Sequence, residues 1–277
     1  MPVEYLAHGQ APFTDELWSS IEAAAVKAAR DRLTARRFLP LEGPFGIGLT
    51  AIECGGDGIL RQPSAGEATA VMARAQPVPT IRHFFRISIR RVAAHVELGQ
   101  PLDLSPAEEA AEAVADREEE LIYRGEPDLH LSGLLGAAGH LEVPGGDWGA
   151  IERALDDVLA GVTRLDDAGH RGPYALALAP ALYNGLFRIY PGTDVLQLEH
   201  LRRLCTAGIY KARIDGAVLV DPRAGTLILG QDLQAGFVGQ DGIFFQLYLA
   251  ESIALRIDDP SAICTIPVRG SRATASA

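Results

Sequence analysis

The sequence predicts an α+β protein. A long amphipathic helix stands near the start, strands with alternating or continuous apolar character crowd the second half, and no strand–helix–strand unit repeats between them.

The first element covers about residues 15–33. Thr14 is placed to cap it, and Asp15 and Glu16 suit the positive end of its dipole. Trp18, Ile21, Ala25, Ala29 and Leu33 recur at helical spacing. Such a stripe is core by default, but its alanines also leave room for another chain to approach. Arg36-Arg37-Phe38 and Leu41-Glu42-Gly43-Pro44-Phe45-Gly46 then turn the chain. Residues 47–78 carry only weak, strand-like patterning, with Gly55-Gly56-Asp57-Gly58 expected to form a hairpin turn. An extended excursion of this length cannot bury itself, so it is expected to be a functional loop or to lie on another subunit.

Phe85, Ile87 and Ile89 alternate with Arg86, Ser88 and Arg90, the pattern of a half-buried strand. Ser105, Pro106 and Glu108 read as a capping box with proline at the first helical position, opening a helix that Gly125 stops. The charge run 116–120 inside it reads as a solvated face. Further on, Asp147 is expected to cap a helix carrying Ile151, Leu155, Val158, Val162 and Leu165. Residues 174–178 read as a buried strand, and 181–188 and 195–205 as short helices. Residues 217–220, 226–229, 235–238, 244–249 and 253–257 read as strands, with turns at Ala224-Gly225 and Asp241-Gly242. The small, polar residues 269–277 are expected to fray.

The composition bounds function by exclusion. With 277 residues, 48% apolar, the chain can bury a sizeable core. A net charge of -11 argues against a general nucleic-acid binder, which needs a basic surface. Cys54, Cys205 and Cys264 form no C-x-x-C pair, so neither a disulfide scaffold nor a structural zinc site is expected. Free thiols, no signal-peptide pattern and no apolar run of about 18 residues lead to the expectation of a cytoplasmic protein without a membrane span. Gly43, Gly46 and Gly48 do not make a dinucleotide fingerprint, and no Walker A loop or G-x-S-x-G elbow occurs. None of the seven histidines has Glu three residues before it. Asp167-x-x-His170 sits beside Gly169 and Gly172 in an expected turn and reads as surface. No catalytic residue, metal site or cofactor is expected.

Several motifs, ordered along nearly the whole chain, resemble the encapsulin shell proteins, also described as linocin-type bacteriocins. They are Pro12 with Trp18-x-x-Ile21, Arg36-Arg37-Phe38, Glu42-Gly43-Pro44-Phe45-Gly46, residues 118–125, Gly172-Pro173-Tyr174-Ala175-Leu176, Leu229-Gly230-Gln231-Asp232-Leu233 and Ala250-Glu251-Ser252-Ile253. The His8 region and residues 258–265 are most similar to family 1 members whose shells enclose ferritin-like, iron-storing cargo.

The resemblance implies the fold of tailed-phage major capsid proteins, the Hong Kong phage 97 type. It divides the chain into an N-terminal arm and start of a peripheral domain (1–46), an extended loop (47–78) and a peripheral domain (79–133). An axial domain (134–223), the final peripheral strands (224–268) and a flexible tail (269–277) follow. It also implies an icosahedral homo-oligomer that confines cargo enzymes through a docking peptide, here for iron storage and protection from oxidative stress. The peptide would lie against Ala29, Leu33, Arg36, Phe38, Pro40, Ala235 and Phe237, with Arg36 bonding a peptide carbonyl. Ala29 and Pro40 depart from the bulky aromatic and the acidic residue of other members, so cargo preference should differ. Tyr190, Pro191, Gly192, Thr193 and Asp194 would form a pore loop. Some members bind flavin beside a tryptophan; Ile89-Arg90-Arg91 supplies none, and flavin is not expected. The alternatives are a phage or prophage major capsid protein, which would bring a scaffolding segment and nucleic acid, and a peptidase, for which no catalytic constellation is seen.

Overall fold

In the computed structural model, which describes residues 5–59 and 68–268, Thr14 stands in extended backbone, and its hydroxyl accepts from the Leu17 amide at 3.3 Å. It opens α1 (Asp15–Arg32), whose buried stripe is Leu17, Trp18, Ile21, Ala25 and Ala29. β1 (Leu41–Glu42) follows, then β2 (Ala51–Ile59) and β3 (Val71–Pro77), which pair antiparallel with each other alone. The glycines at 55, 56 and 58 are not the hairpin turn expected of them. They lie inside β2, where the register slips between Glu53 and Asp57. Glycine in a strand interior commonly marks such an irregularity.

β4 (Thr80–Ser88) buries Ile81, Phe85 and Ile87, but Ile89 is not its continuation. The chain turns at Ser88 into α2 (Ile89–Leu98). α3 (Ser105–Tyr123) begins where expected, by a different device. Leu104 holds the N-cap position without a side-chain cap, so the expected capping box does not form; Asp103 braces the first turn, its Oδ1 accepting from the Ser105 amide at 3.0 Å and the Ser105 hydroxyl at 2.6 Å. Both bonds hold the Asp103 carboxyl below its ordinary acidity range. Gly125 ends the helix in a left-handed conformation (φ 77°), and a Cβ there would lie 2.3 Å from the Leu131 carbonyl oxygen, so only glycine fits.

Beyond the short pair β5 (Gly125–Glu126) and β6 (Leu131–Ser132) come β7 (Leu141–Glu142) and α4 (Ile151–Asp167). Asp147 does not cap α4; it accepts from the Gly149 amide at 2.8 Å in the preceding turn. The remaining elements are β8 (Ala175–Leu178), α5 (Pro180–Gly185), α6 (Gln197–Leu204), β9 (Gly208–Lys211) and β10 (Ala217–Val220). After these, the four late strand-like stretches merge into two long strands, β11 (Gly225–Asp241) and β12 (Phe244–Ile257). β13 (Ile263–Ile266) closes the described chain. The expected frayed tail, 269–277, lies outside the described residues.

Two sheets result. One has the order β1-β11-β12-β4 and packs against α1 and α3. The other has the order β7-β13-β10-β8-β9 and packs against α4. β13 was grouped with the final peripheral strands in the expectation from sequence, yet it pairs with β10 and β7 in the second sheet. The chain passes between the sheets three times, from β4 to β7 by way of α2 and α3, and then through 3-10 turns at Pro222–Ala224 and Pro260–Ala262.

β8 and β10 are buried on both faces. Ala175, Ala177, Val218 and Val220 face the core shared with α1 and α3, while Leu176, Leu178 and Leu219 face the core under α4 and α6. Strands enclosed on both faces read as continuous apolar runs, which is why 217–220 shows no alternation.

Candidate functional site

At the C-terminal end of α1 the chain leaves the helix at Leu33 and makes a 3-10 turn over Ala35–Arg37. A buried carboxylate organises that turn. Glu119 Oε1 accepts from the amides of Thr34 (2.9 Å) and Ala35 (3.0 Å), and its Oε2 accepts from the Thr34 hydroxyl, which also meets the Tyr123 hydroxyl at 2.9 Å. Burial raises the Glu119 pKa, opposed by these hydrogen bonds.

The turn delivers Arg36 into a knot of acids. Its Nε and Nη2 donate to the two oxygens of Glu118, both at 2.7 Å, and Nη2 donates also to Glu251 Oε2 at 2.8 Å. Nη1 reaches Asp232 only at 3.5 Å. Burial disfavours the Arg36 charge, but Glu118, Glu251 and Asp232 outweigh it and raise the pKa. Glu251 is 2% exposed, and its Oε1 has no hydrogen-bond partner among the described residues. Burial and the Glu118 charge push its pKa well above the ordinary carboxylate value, with Arg36 opposing. These findings correct the reading of 116–120 as a solvated face. Glu118 and Glu119 are buried and hold α1 to α3, while Glu120 alone of the three glutamates is exposed, paired with Arg117 at 2.6 Å.

Beside this knot lies a cavity of about 290 Å³ between α1, α3 and β11. Val26, Ala29, Leu33 and Leu233 give it apolar walls; Arg30, Arg37, Asp232 and Glu251 supply its polar edge. Of the seven residues expected to hold a docking peptide, Ala29, Leu33 and Arg36 line this cavity. Arg36 commits its Nε and Nη2 to carboxylates, so the peptide-bonding role expected of it is confined to Nη1.

The other four are elsewhere. Phe38 is buried against Tyr210, ring centroids 5.4 Å apart. Pro40 is exposed, and its carbonyl accepts from the Leu227 amide at 2.8 Å. Ala235 and Phe237 lie on β11 under the chain's own N-terminal segment. The Ala235 carbonyl meets His8 Nε2 at 2.7 Å, the Phe237 amide donates to the Leu6 carbonyl at 2.9 Å, and the Phe237 ring meets Phe13 at 6.2 Å. His8 in turn stacks on Trp18, centroids 4.1 Å apart.

Val26, Arg30, Glu118, Asp232, Leu233 and Glu251 were not foreseen as site residues. For Val26 and Arg30 a signal existed: with Ala29 and Leu33 they occupy one helical face at i, i+3, i+4 and i+7. Nothing local marks Glu118 as buried, because its partner Arg36 is 82 residues away.

Residues 190–194 form an exposed turn. The Tyr190 amide donates to the Val195 carbonyl (2.8 Å), and the Thr193 hydroxyl donates to the Tyr190 carbonyl (2.9 Å). Pro191, Gly192 and Asp194 project from it, and Asp194 makes no ion pair among the described residues. No cluster able to hold a metal ion, and no helix long and apolar enough to cross a membrane, occurs among the described residues.

The family model described as "Encapsulating protein for peroxidase" matches residues 3–254. The chain belongs to the encapsulin shell proteins. A type 1 encapsulin shell protein of Myxococcus xanthus is 32% identical, covering 97% of this chain and 98% of its own. An encapsulin shell fused to a diheme cytochrome, from Kuenenia stuttgartiensis, is 27% identical over 91% of this chain and 72% of its own length. Among solved structures, the virus-like particle of Pyrococcus furiosus has a TM-score of 0.72 at 22% identity, covering 91% of this chain and 99% of its own. The capsid of Myoviridae phage XM1 has 0.56 at 15%, covering 96% and 99%. At these identities the structural likeness establishes the capsid fold alone, and the encapsulin assignment rests on the family match and the sequence relatives.

Proposed function

We propose that many copies of this chain close into an icosahedral encapsulin shell in the cytoplasm, and that the cavity between α1, α3 and β11 seats a docking peptide carried by cargo proteins. The protein then works by confinement and passage of small solutes, not by making bonds. Ferritin-like cargo for iron storage and oxidative-stress protection is the finer reading, supported by the similarity at His8 and 258–265. Within the described chain those residues make structural contacts: His8 holds the N-terminal segment to β11, and 260–262 is a crossover between sheets. The turn at Tyr190–Asp194 is the proposed pore loop, its unpaired carboxylate suited to cations.

The observation that carries the assembly is the β2–β3 hairpin. Among the described residues each strand pairs only with the other, β3 is exposed along most of its length, and Val71 and Met72 are open to solvent. Two apolar side chains on an uncovered ribbon are a surface prepared for another copy. Closed symmetry then needs head-to-tail contacts whose rotation closes.

Electron microscopy of the purified protein tests the shell: closed particles of uniform diameter are expected, and a monodisperse monomer at all concentrations would end the proposal. Mass spectrometry of proteins inside native particles tests the cargo. A ferritin-like protein with bound iron is expected, and nucleic acid in its place would favour the phage-capsid alternative.

A further inference from the structure

The face of the β1-β11-β12-β4 sheet that turns away from α1 and α3 carries an arginine held by aromatic rings. Along β4 the buried Ile81, Phe85 and Ile87 serve the core, which leaves Arg82, Phe84 and Arg86 on the opposite face, all exposed. Across the ladder they stand beside Ala250, Tyr248 and Gln246 of β12. The Arg82 guanidinium lies 4.8 Å from the centre of the Phe84 ring and 5.7 Å from that of Tyr248. The Tyr248 ring lies over β11 because residue 236 is glycine: a Cβ there would sit 2.2 Å from the ring Cζ. Rings on two strands thus fix the Arg82 head group and leave its planar fork free. Arg86 lies over Phe244 and reaches Asp241 at 3.6 Å, whereas Arg82 has no carboxylate partner among the described residues.

The β2–β3 hairpin carries complementary groups. Glu53 is exposed and makes no ion pair among the described residues, although Arg74 borders the same hollow on the hairpin. It stands where the β2–β3 register slips, an irregularity of the kind that re-aims side chains. Val71 and Met72 add exposed apolar surface farther along β3. Neither strand pairs with the sheet of its own chain among the described residues. The nine residues of β2 span about 30 Å, enough to cross onto a neighbouring copy. Every neighbour in a shell of one component is this same acidic chain, net charge -11, so a free guanidinium on its surface meets carboxylates there.

We propose that the Arg82–Phe84–Tyr248 face of one copy receives the β2–β3 hairpin of the next, with Glu53 paired to Arg82 and the apolar residues of the hairpin against the rings. This rests on the shell reading above and assigns the surface that covers the hairpin, which that reading leaves open. The contact joins two different patches of one chain, so it is head-to-tail and generates a ring when its rotation closes.

The test is charge exchange in the full chain. Arg82→Glu and Glu53→Arg each set like charges against each other across the contact. Each should raise the subunit concentration at half-assembly by about tenfold or more, read by light scattering and electron microscopy. The double variant restores the pair with its signs reversed, and assembly should recover most of that loss. Should either reversed charge prevent folding, Arg82→Gln and Glu53→Gln, singly and together, carry the same cycle: each single loss should be large and the second should add little to the first. Single variants that assemble like the wild type, or losses that simply add in the double variant, would overturn the contact and leave a shell closed by other surfaces. Arg82→Glu particles that assemble normally but no longer retain inorganic polyphosphate bound by the wild type would also overturn it, and would give the face to an anionic ligand. Wild-type protein that forms no particles would overturn the shell reading itself.

Discussion

Two antiparallel strand pairs in this chain have opposite fates. β8 and β10 are enclosed on both faces, with the side chains of each strand sorted alternately into two cores. β2 and β3 leave β3 bare to solvent and touch the body near their base, where Gln76 Nε2 donates to the Leu255 carbonyl at 2.9 Å. The inner pair completes its interactions within one chain. The hairpin does not. Stability of the subunit and formation of the shell should therefore respond to different substitutions.

The largest effect is expected at the knot. Glu118→Ala removes a bidentate partner that is 0% exposed and leaves Arg36 under-compensated between helices. Breaking a buried ion pair from one side costs about 3–5 kcal/mol, read as a fall in the urea midpoint of dissociated subunits. An unchanged midpoint would show that Glu251 and Asp232 suffice for Arg36. Leu219→Ala comes next. Leu219 is fully buried, and truncating such a leucine costs about 2–5 kcal/mol according to how far the cavity collapses. A loss below that range would mean that the central layer is more plastic than its enclosure suggests.

The same contrast explains what could be read from the sequence. α1 was legible because Thr14, the acids after it and the apolar stripe are local signals. β8 and β10 were legible as unbroken apolar runs between turn residues. The late strands were found in pieces, because bulges at 229–231, 231–234 and 237–239 interrupt the alternation that one long strand would show. Glu118 and Glu119 were misread because helical neighbours cannot reveal a partner from another part of the chain. The docking residues divided for a related reason. Ala29 and Leu33 share a helical face, whereas the covering of Ala235 and Phe237 by residues 6–13 depends on how β11 and the N-terminal segment meet in space.

A smaller effect is expected from pH. Glu251 has its folded-state pKa raised, so the folded chain retains a proton that the unfolded chain releases above the ordinary value of 4.5. Its contribution is complete below that value and is lost as pH rises through the raised one. Glu119, shifted in the same direction by burial, adds to this slope. Glu251→Gln keeps the shape, removes the titration and should flatten the decline of subunit stability with rising pH. A variant that follows the wild-type profile would place the proton elsewhere in the knot.

The smallest effect on the subunit is expected at Met72, where the comparison is sharpest. Met72→Ser changes an exposed residue on β3, so subunit stability should move by no more than about 0.5 kcal/mol. Assembly should nonetheless weaken if that side chain is covered by another copy. Cys54, on the partner strand β2, reports on the same hairpin without mutation. Burial raises all three thiols, but Cys54 is partly exposed in the chain, whereas the Cys205 thiol is pushed up to about 12 and the Cys264 thiol up to about 11. Thiolates alkylate and neutral buried thiols do not, so iodoacetamide should label Cys54 first in dissociated subunits. Closing the shell should slow that labelling, and Met72→Ser should restore it. Equal labelling of Cys54 in free and assembled protein would show that the hairpin stays bare in the particle and that the subunits are joined by other surfaces.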